Sequence, residues 1–126
     1  MHESWQKWFN QIYSNNNGTP QAWTPLIIGL TGAATITGSY VRLAGLIHWQ
    51  ALITPTVNTT AILGTTYVSN LPFTASAFST LTAIKTTSRI SIGIGQVDAN
   101  TTRAYPLGWT AVAEPVLLTG TYQCQP

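Results

Sequence analysis

Residues 76–98 read SAFSTLTAIKTTSRISIGIGQVD, and their periodicity decides the fold class. Phe78, Thr80, Thr82 and Ile84 alternate with Ala77, Ser79, Leu81 and Ala83. Ile90, Ile92 and Ile94 then alternate with Ser91, Gly93 and Gly95. A period of two sends successive side chains to opposite faces, so the stretch reads as two β-strands separated by the polar turn at Thr86–Arg89. Gly93 and Gly95 fall on one face and leave it bare of side chains. That face can receive a bulky neighbour such as a Trp from the same core, or strands gathered about a threefold axis.

On either side the text keeps the same grammar of short apolar runs punctuated by Gly, Pro and Asn. WTPLIIGL (23–30) reads as a first strand with a turn at Thr31-Gly32. TITGSYVRLAG (35–45) is followed by the core-like LIHWQALITP (46–55), which Pro55 ends. TTYVSNLPF (65–73) runs into Pro72; TRAYPLGWTAVAE and PVLLTGTYQCQ close the chain. Many short strands rich in Thr, Val, Ile and aromatics argue for an all-β domain, a β-sandwich or jelly roll, over residues 23–126.

Before Ser14 the period changes. Trp5, Trp8, Phe9, Ile12 and Tyr13 recur at spacings of three and four, the signature of one face of an amphipathic α-helix spanning residues 1–14. Ser4 can cap its start, and SNNNGTP ends it, opening a flexible linker over 15–22. So short a helix is marginal alone, and its aromatic face needs a partner. It can pack back on its own domain, form a three-helix bundle between identical chains, or plug into a larger assembly.

Charged residues make up only 6% of the 126 residues, far below the roughly 25% of ordinary soluble domains. Thr, Ser, Asn and Gln must wet the surface, and with five Trp aboard much of it is suited to packing against other subunits. Lys7, Arg42, Lys85, Arg89 and Arg103 are scattered, which is no footprint for nucleic acid. The single Cys124 excludes an intramolecular disulfide and fits assembly in a reducing compartment. The opening MHESWQKWFNQIYSNNNG lacks the apolar stretch of a signal peptide, and the run Ala44–Ile53 is too short to span a bilayer. The expectation is synthesis in a cytoplasm, with no membrane partner.

No catalytic constellation is legible. The imidazoles are His2 and His48, and the carboxylates Glu3, Asp98 and Glu114. His48 alternates with Ile47 and Trp49 and so faces away from them, to the surface or an interface. No carboxylate pair, His pair or Cys cluster stands at catalytic or metal-ligand spacing, and GIGQVD lacks the Lys of a phosphate loop. The expectation is a non-enzymatic protein without metal or cofactor. Recognition then falls to loops on a rigid β-scaffold: 54–65, 97–102 and 104–109. Their candidate contact residues are Asn58, Thr59, Thr60, Asp98, Asn100, Tyr105 and Trp109. The two aromatics suit stacking on a sugar; Trp109 can equally begin a core strand.

Four motifs carry a resemblance to a known family. Trp23-Thr24-Pro25, Gly38-Ser39-Tyr40, Leu71-Pro72-Phe73-Thr74 and Thr119-Gly120-Thr121-Tyr122, in that order, resemble the C-terminal domain of bacteriophage tail-fibre and virion structural proteins. The resemblance covers about 23–122. It implies a jelly-roll-like β-sandwich related to tumour-necrosis-factor-like and C1q-like domains, usually a homotrimer, acting as a receptor-binding tip or virion surface component. WQKWFNQIY is similar to the Trp-rich helix preceding such domains, but no long shaft follows it here. The leading expectation is a trimeric viral tail appendage in the virion. It docks on other virion proteins by its helix and touches host-surface polysaccharide or protein. A capsid decoration (cement) protein of the same fold is the alternative, and a free lectin-like carbohydrate-binding module the third.

Overall fold

The computed structural model describes residues 19–125; the helix expected over 1–14, with Trp5, Trp8, Phe9, Ile12 and Tyr13, lies outside them. The described chain is all-β. Its strands are β1 (Gln21–Trp23), β2 (Ile27–Ile28), β3 (Ala34–Leu43), β4 (Leu46–Pro55), β5 (Thr59–Ala61) and β6 (Tyr67–Val68). They continue with β7 (Ser79–Lys85), β8 (Ile90–Val97), β9 (Ala104–Tyr105), β10 (Trp109–Val112) and β11 (Val116–Gln123). Nine of them form one sheet in the order β1-β3-β4-β11-β7-β8-β9-β6-β2, and β5 pairs with β10 in a second, small sheet.

The edges of the large sheet are consecutive in sequence. Thr24, Pro25 and Leu26 alone separate β1 from β2, a reach of about 14 Å at full extension. A flat sheet of this width would hold its edges about 38 Å apart, so the sheet must curl back upon itself. Pro25, which has no N–H to donate, is buried at the corner and splits the strand expected over WTPLIIGL into two short ones with different partners. Asn70 closes the seam. Its Oδ1 accepts from the Leu26 N–H at 2.6 Å, its Nδ2 donates to the Thr24 carbonyl at 3.0 Å, and its own carbonyl accepts from Trp23 Nε1 at 2.9 Å. The curled arrangement is consistent with a β-sandwich. β1 begins at Gln21, inside the stretch expected as linker.

The core lies inside the curl. One row of paired residues on the inner face runs Tyr40, Trp49, Gly120, Leu81, Gly95; the next runs Gly38, Ala51, Leu118, Ala83, Gly93. Across β4, β11 and β7 small and large residues alternate along both rows, so that the indole of Trp49, fully buried, lies over the space that a Gly120 side chain would fill. Trp23 meets Trp49 edge to face at 6.1 Å, and the Trp23–Pro25 corner sits against Gly38. Tyr122 locks the opposite end: its hydroxyl donates to the Phe73 carbonyl at 2.8 Å and accepts from the Phe73 N–H at 3.1 Å. Burial raises the Tyr122 pKa to about 12.

The alternation expected along β8 breaks at one point. Ala83 pairs with Gly93 but Ile84 pairs with Ser91, leaving Ile92 as the extra residue of a β-bulge. Ile92 therefore packs toward the core, while Ile94 stays on the outer face as the partner of Thr82. Gly93 and Gly95 share the inner face, as their spacing predicts. The neighbour that covers them is a bulky one from the same chain, a Leu rather than a Trp. A Cβ on Gly93 would lie 2.2 Å from the Leu107 side chain, and one on Gly95 2.1 Å from the Tyr105 carbonyl oxygen. The segment 105–107 of the same chain covers them both. TTYVSNLPF, expected as one strand, contributes only β6 before its backbone leaves to form the Asn70 seam.

Candidate functional site

The sequence-nominated contact residues divide into three groups. Thr59, Thr60 and Trp109 meet at the β5–β10 pair. Trp109 Nε1 donates to Thr59 Oγ1 at 3.2 Å, Thr59 Oγ1 donates on to the Val112 carbonyl at 3.3 Å, and the Ala111 N–H donates to Thr60 Oγ1 at 3.1 Å. Thr59 is fully buried and Trp109 nearly so. Both are core residues whose polar atoms satisfy one another, and neither is offered at the surface as a loop contact; the strand reading of Trp109 is the one the structure adopts. Asn58 and Asn100 are exposed. Asn100 holds a left-handed turn (φ 63°), and its Oδ1 accepts from Gln125 Nε2 at 3.0 Å.

Asp98 and Tyr105 form the third group, and these two converge. They line a surface groove of about 540 Å³ together with Leu63, Gly64, Thr80, Ile94, Gly95 and Gln96. Pairing explains the convergence: Gln96 is opposite Thr80 on one side and Tyr105 on the other, so three strands set two polar side chains and one aromatic ring in line. Gln96 Nε2 donates to Asp98 Oδ1 at 2.9 Å and fixes the carboxylate. Leu63 and Ile94 border the groove with 66% and 63% of their surface exposed, an apolar display normally associated with binding.

The Tyr105 ring is supported from beside the groove. It packs on Tyr67 with centroids 5.0 Å apart, and the Arg103 guanidinium lies 5.1 Å from the Tyr67 ring centroid. Hydrogen bonding to the Tyr105 side chain, then the proximity of the Tyr67 and Tyr105 hydroxyls, holds Arg103 above its ordinary pKa. Leu63 lies in the nominated loop 54–65 but was not named as a contact; sequence reading missed Thr80, Ile94 and Gln96 in the groove and Tyr67 and Arg103 beside it. The usable signal was Ile94 and Gln96 sharing a strand face, next to the nominated Asp98.

The remaining chemistry-bearing residues are held separately. His48 faces away from Ile47 and Trp49, as alternation predicts, and its Nδ1 lies 2.9 Å from Thr121 Oγ1. Glu114 accepts from Ser88 through both N–H (2.8 Å) and Oγ (2.6 Å), and this hydrogen bonding holds its carboxyl below the usual range. Cys124 is buried. Among the described residues, no three His, Cys, Asp or Glu side chains gather in a metal-ligand cluster. No helix among them is long and apolar enough to cross a membrane. No family model, curated protein or solved structure matches the chain.

Proposed function

We propose that the chain is a non-enzymatic bacteriophage virion protein, a homotrimeric tail appendage that docks through residues 1–14 and presents its β-domain to the host surface. The observation that carries this reading is the groove at Tyr105: an aromatic ring, a fixed carboxylate–amide pair and exposed aliphatic side chains on a stiff sheet, a composition typical of recognition sites. In this reading the curled sheet is a jelly-roll-like sandwich of the tumour-necrosis-factor-like and C1q-like kind. The resembling motifs support it by acting as clasps, since Trp23 and Pro25 lie against Gly38 and Tyr122 holds Phe73. The low charge supports it as well, because subunits that live packed in a particle need little electrostatic solubility.

A capsid decoration protein is the second reading. It is favoured by exposed apolar side chains away from the groove, Leu43 and Leu46 near the β3–β4 turn. Counting the chain by quantitative mass spectrometry in purified particles of the virus that encodes it separates the two. An appendage is present in tens of copies or fewer and a decoration protein in hundreds; absence from particles refutes both.

A further inference from the structure

We propose that the groove lined by Leu63, Thr80, Ile94, Gln96, Asp98 and Tyr105 is a subsite for a neutral hexose unit of a polysaccharide. This rests on the surface-attachment reading and names the ligand class that the site takes. A pyranose presents an apolar C–H face and a rim of hydroxyl groups. The groove offers the complement of each: Tyr105, Leu63 and Ile94 supply apolar surface, and Gln96, Asp98 and Thr80 supply the polar groups. Its volume of about 540 Å³ falls inside the range of small-ligand clefts, roughly 300–1,000 Å³.

The polar groups also select the sign of the ligand. An ionised carboxylate only accepts hydrogen bonds. Gln96 Nε2 commits one of its two N–H donors to Asp98 Oδ1, so the pair keeps one amide N–H to donate, with the second carboxylate oxygen and the Gln96 carbonyl oxygen to accept. With the Thr80 and Tyr105 hydroxyls beside it, such a site suits a ligand whose groups both donate and accept, as vicinal hydroxyls do. Among the described residues Asp98 is the one charged side chain lining the groove, so a uronic or sialic acid would bring like charge against it. The nearby cation, Arg103, is engaged with Tyr67 and Tyr105. Preorganisation favours binding too: Tyr105 is fixed by its pairing with Gln96, by the Tyr67 ring and by contact of its carbonyl with Gly95. Little freedom remains to be lost on binding.

The test uses the full-length chain, with saturation-transfer NMR and calorimetry against glucose-, mannose- and galactose-based neutral trisaccharides, and trigalacturonate as the acidic comparison. At least one neutral trisaccharide is expected to bind in the millimolar range or tighter, and trigalacturonate at least tenfold more weakly. Tyr105→Ala should weaken binding at least tenfold. Gln96→Ala, at an exposed position where folding is not at stake, should weaken it several-fold, and Asp98→Asn should narrow the preference for the neutral sugar. The proposal is overturned if no neutral trisaccharide binds, if trigalacturonate binds as tightly, or if Gln96→Ala and Tyr105→Ala leave the affinity unchanged. Sugar binding by a chain that particles lack would sink the virion reading and leave the subsite standing. A chain present in particles that ignores sugars would do the reverse.

Discussion

Asn70 carries a load out of proportion to its size, and replacing it tests whether the curl of the sheet depends on a side-chain seam. Asn70→Ala removes one bond accepted from Leu26 N–H and one donated to the Thr24 carbonyl. A hydrogen bond contributes about 0.5–1.5 kcal/mol net, and both lie at a half-wet edge, so the expected loss is about 2 kcal/mol. At about 4 °C per kcal/mol for a domain of this length, the melting temperature should fall by about 8 °C. Asn70→Asp keeps the acceptor for Leu26 but sets a carboxylate oxygen against the Thr24 carbonyl, and should fall between the two. The control is Ser69→Ala. Ser69 Oγ donates to the Leu26 carbonyl, yet that oxygen also accepts from the Ser69 N–H, so the loss should stay within about 0.5 kcal/mol. Urea unfolding followed by tryptophan fluorescence suits the measurement, since Trp23 and Trp49 adjoin the seam. An Asn70→Ala loss no larger than that of Ser69→Ala would refute the reasoning and leave closure to burial of the Trp23–Pro25 corner.

Gly95→Ala should destabilise by about 1–3 kcal/mol, because the new methyl meets backbone atoms of Tyr105 and Pro106 that cannot swing aside; Gly45→Ala, where it meets nothing within 4 Å, is the control in the same thermal melt. Tyr122→Phe leaves the Phe73 N–H and carbonyl without their partner and should cost about 1–3 kcal/mol in urea unfolding. The Tyr122 pKa is raised in the fold, so the stability it contributes is full below the unfolded value of 10.0 and drains away as the pH climbs through about 12; the wild type should lose stability across that window more steeply than the variant. Glu114 has the opposite sign. Its lowered pKa gives stability above the ordinary carboxylate range that is lost as the pH falls through the folded value, and Glu114→Gln should flatten the acid limb of melting temperature against pH.

Period-two alternation made the long strands legible: Ile47, Trp49, Ala51 and Ile53 are all buried where LIHWQALITP places them, and His48 faces out. It failed at short elements, where pairing partners far along the chain decide. Nothing local says that WTPLIIGL must break at Pro25 to serve two edges of one sheet, or that Thr59 and Trp109, 50 residues apart, share a hydrogen bond. Most of the groove was likewise hidden. Asp98 and Tyr105 stood out as polar and aromatic loop residues. Leu63 lies in the nominated loop 54–65, but its place beside Ile94 depends on how the sheet curls.

The bulge ties that curl to the groove. Had β8 kept strict pairing, Ile92 would share the outer face with Ile94, and a third isoleucine would extend the apolar strip along the strand. The extra residue at Ile92 turns that side chain toward the core and places Gly93 at φ +145° on the inner row, in a conformation that side chains rarely adopt. The bare surface of Gly93 and Gly95 then lets the 105–107 segment lie close enough for Leu107 and the Tyr105 carbonyl to touch the strand. That approach sets Tyr105 opposite Gln96, and Gln96 holds Asp98. A side chain at Gly95 would therefore act twice, straining the core and lifting the groove's aromatic wall away from its polar one. Loss of sugar affinity should accompany loss of stability in Gly95→Ala but not in Asn70→Ala. Equal affinity losses in the two variants would mean that the groove reports on general loosening of the sheet, and the link from bulge to site would be wrong.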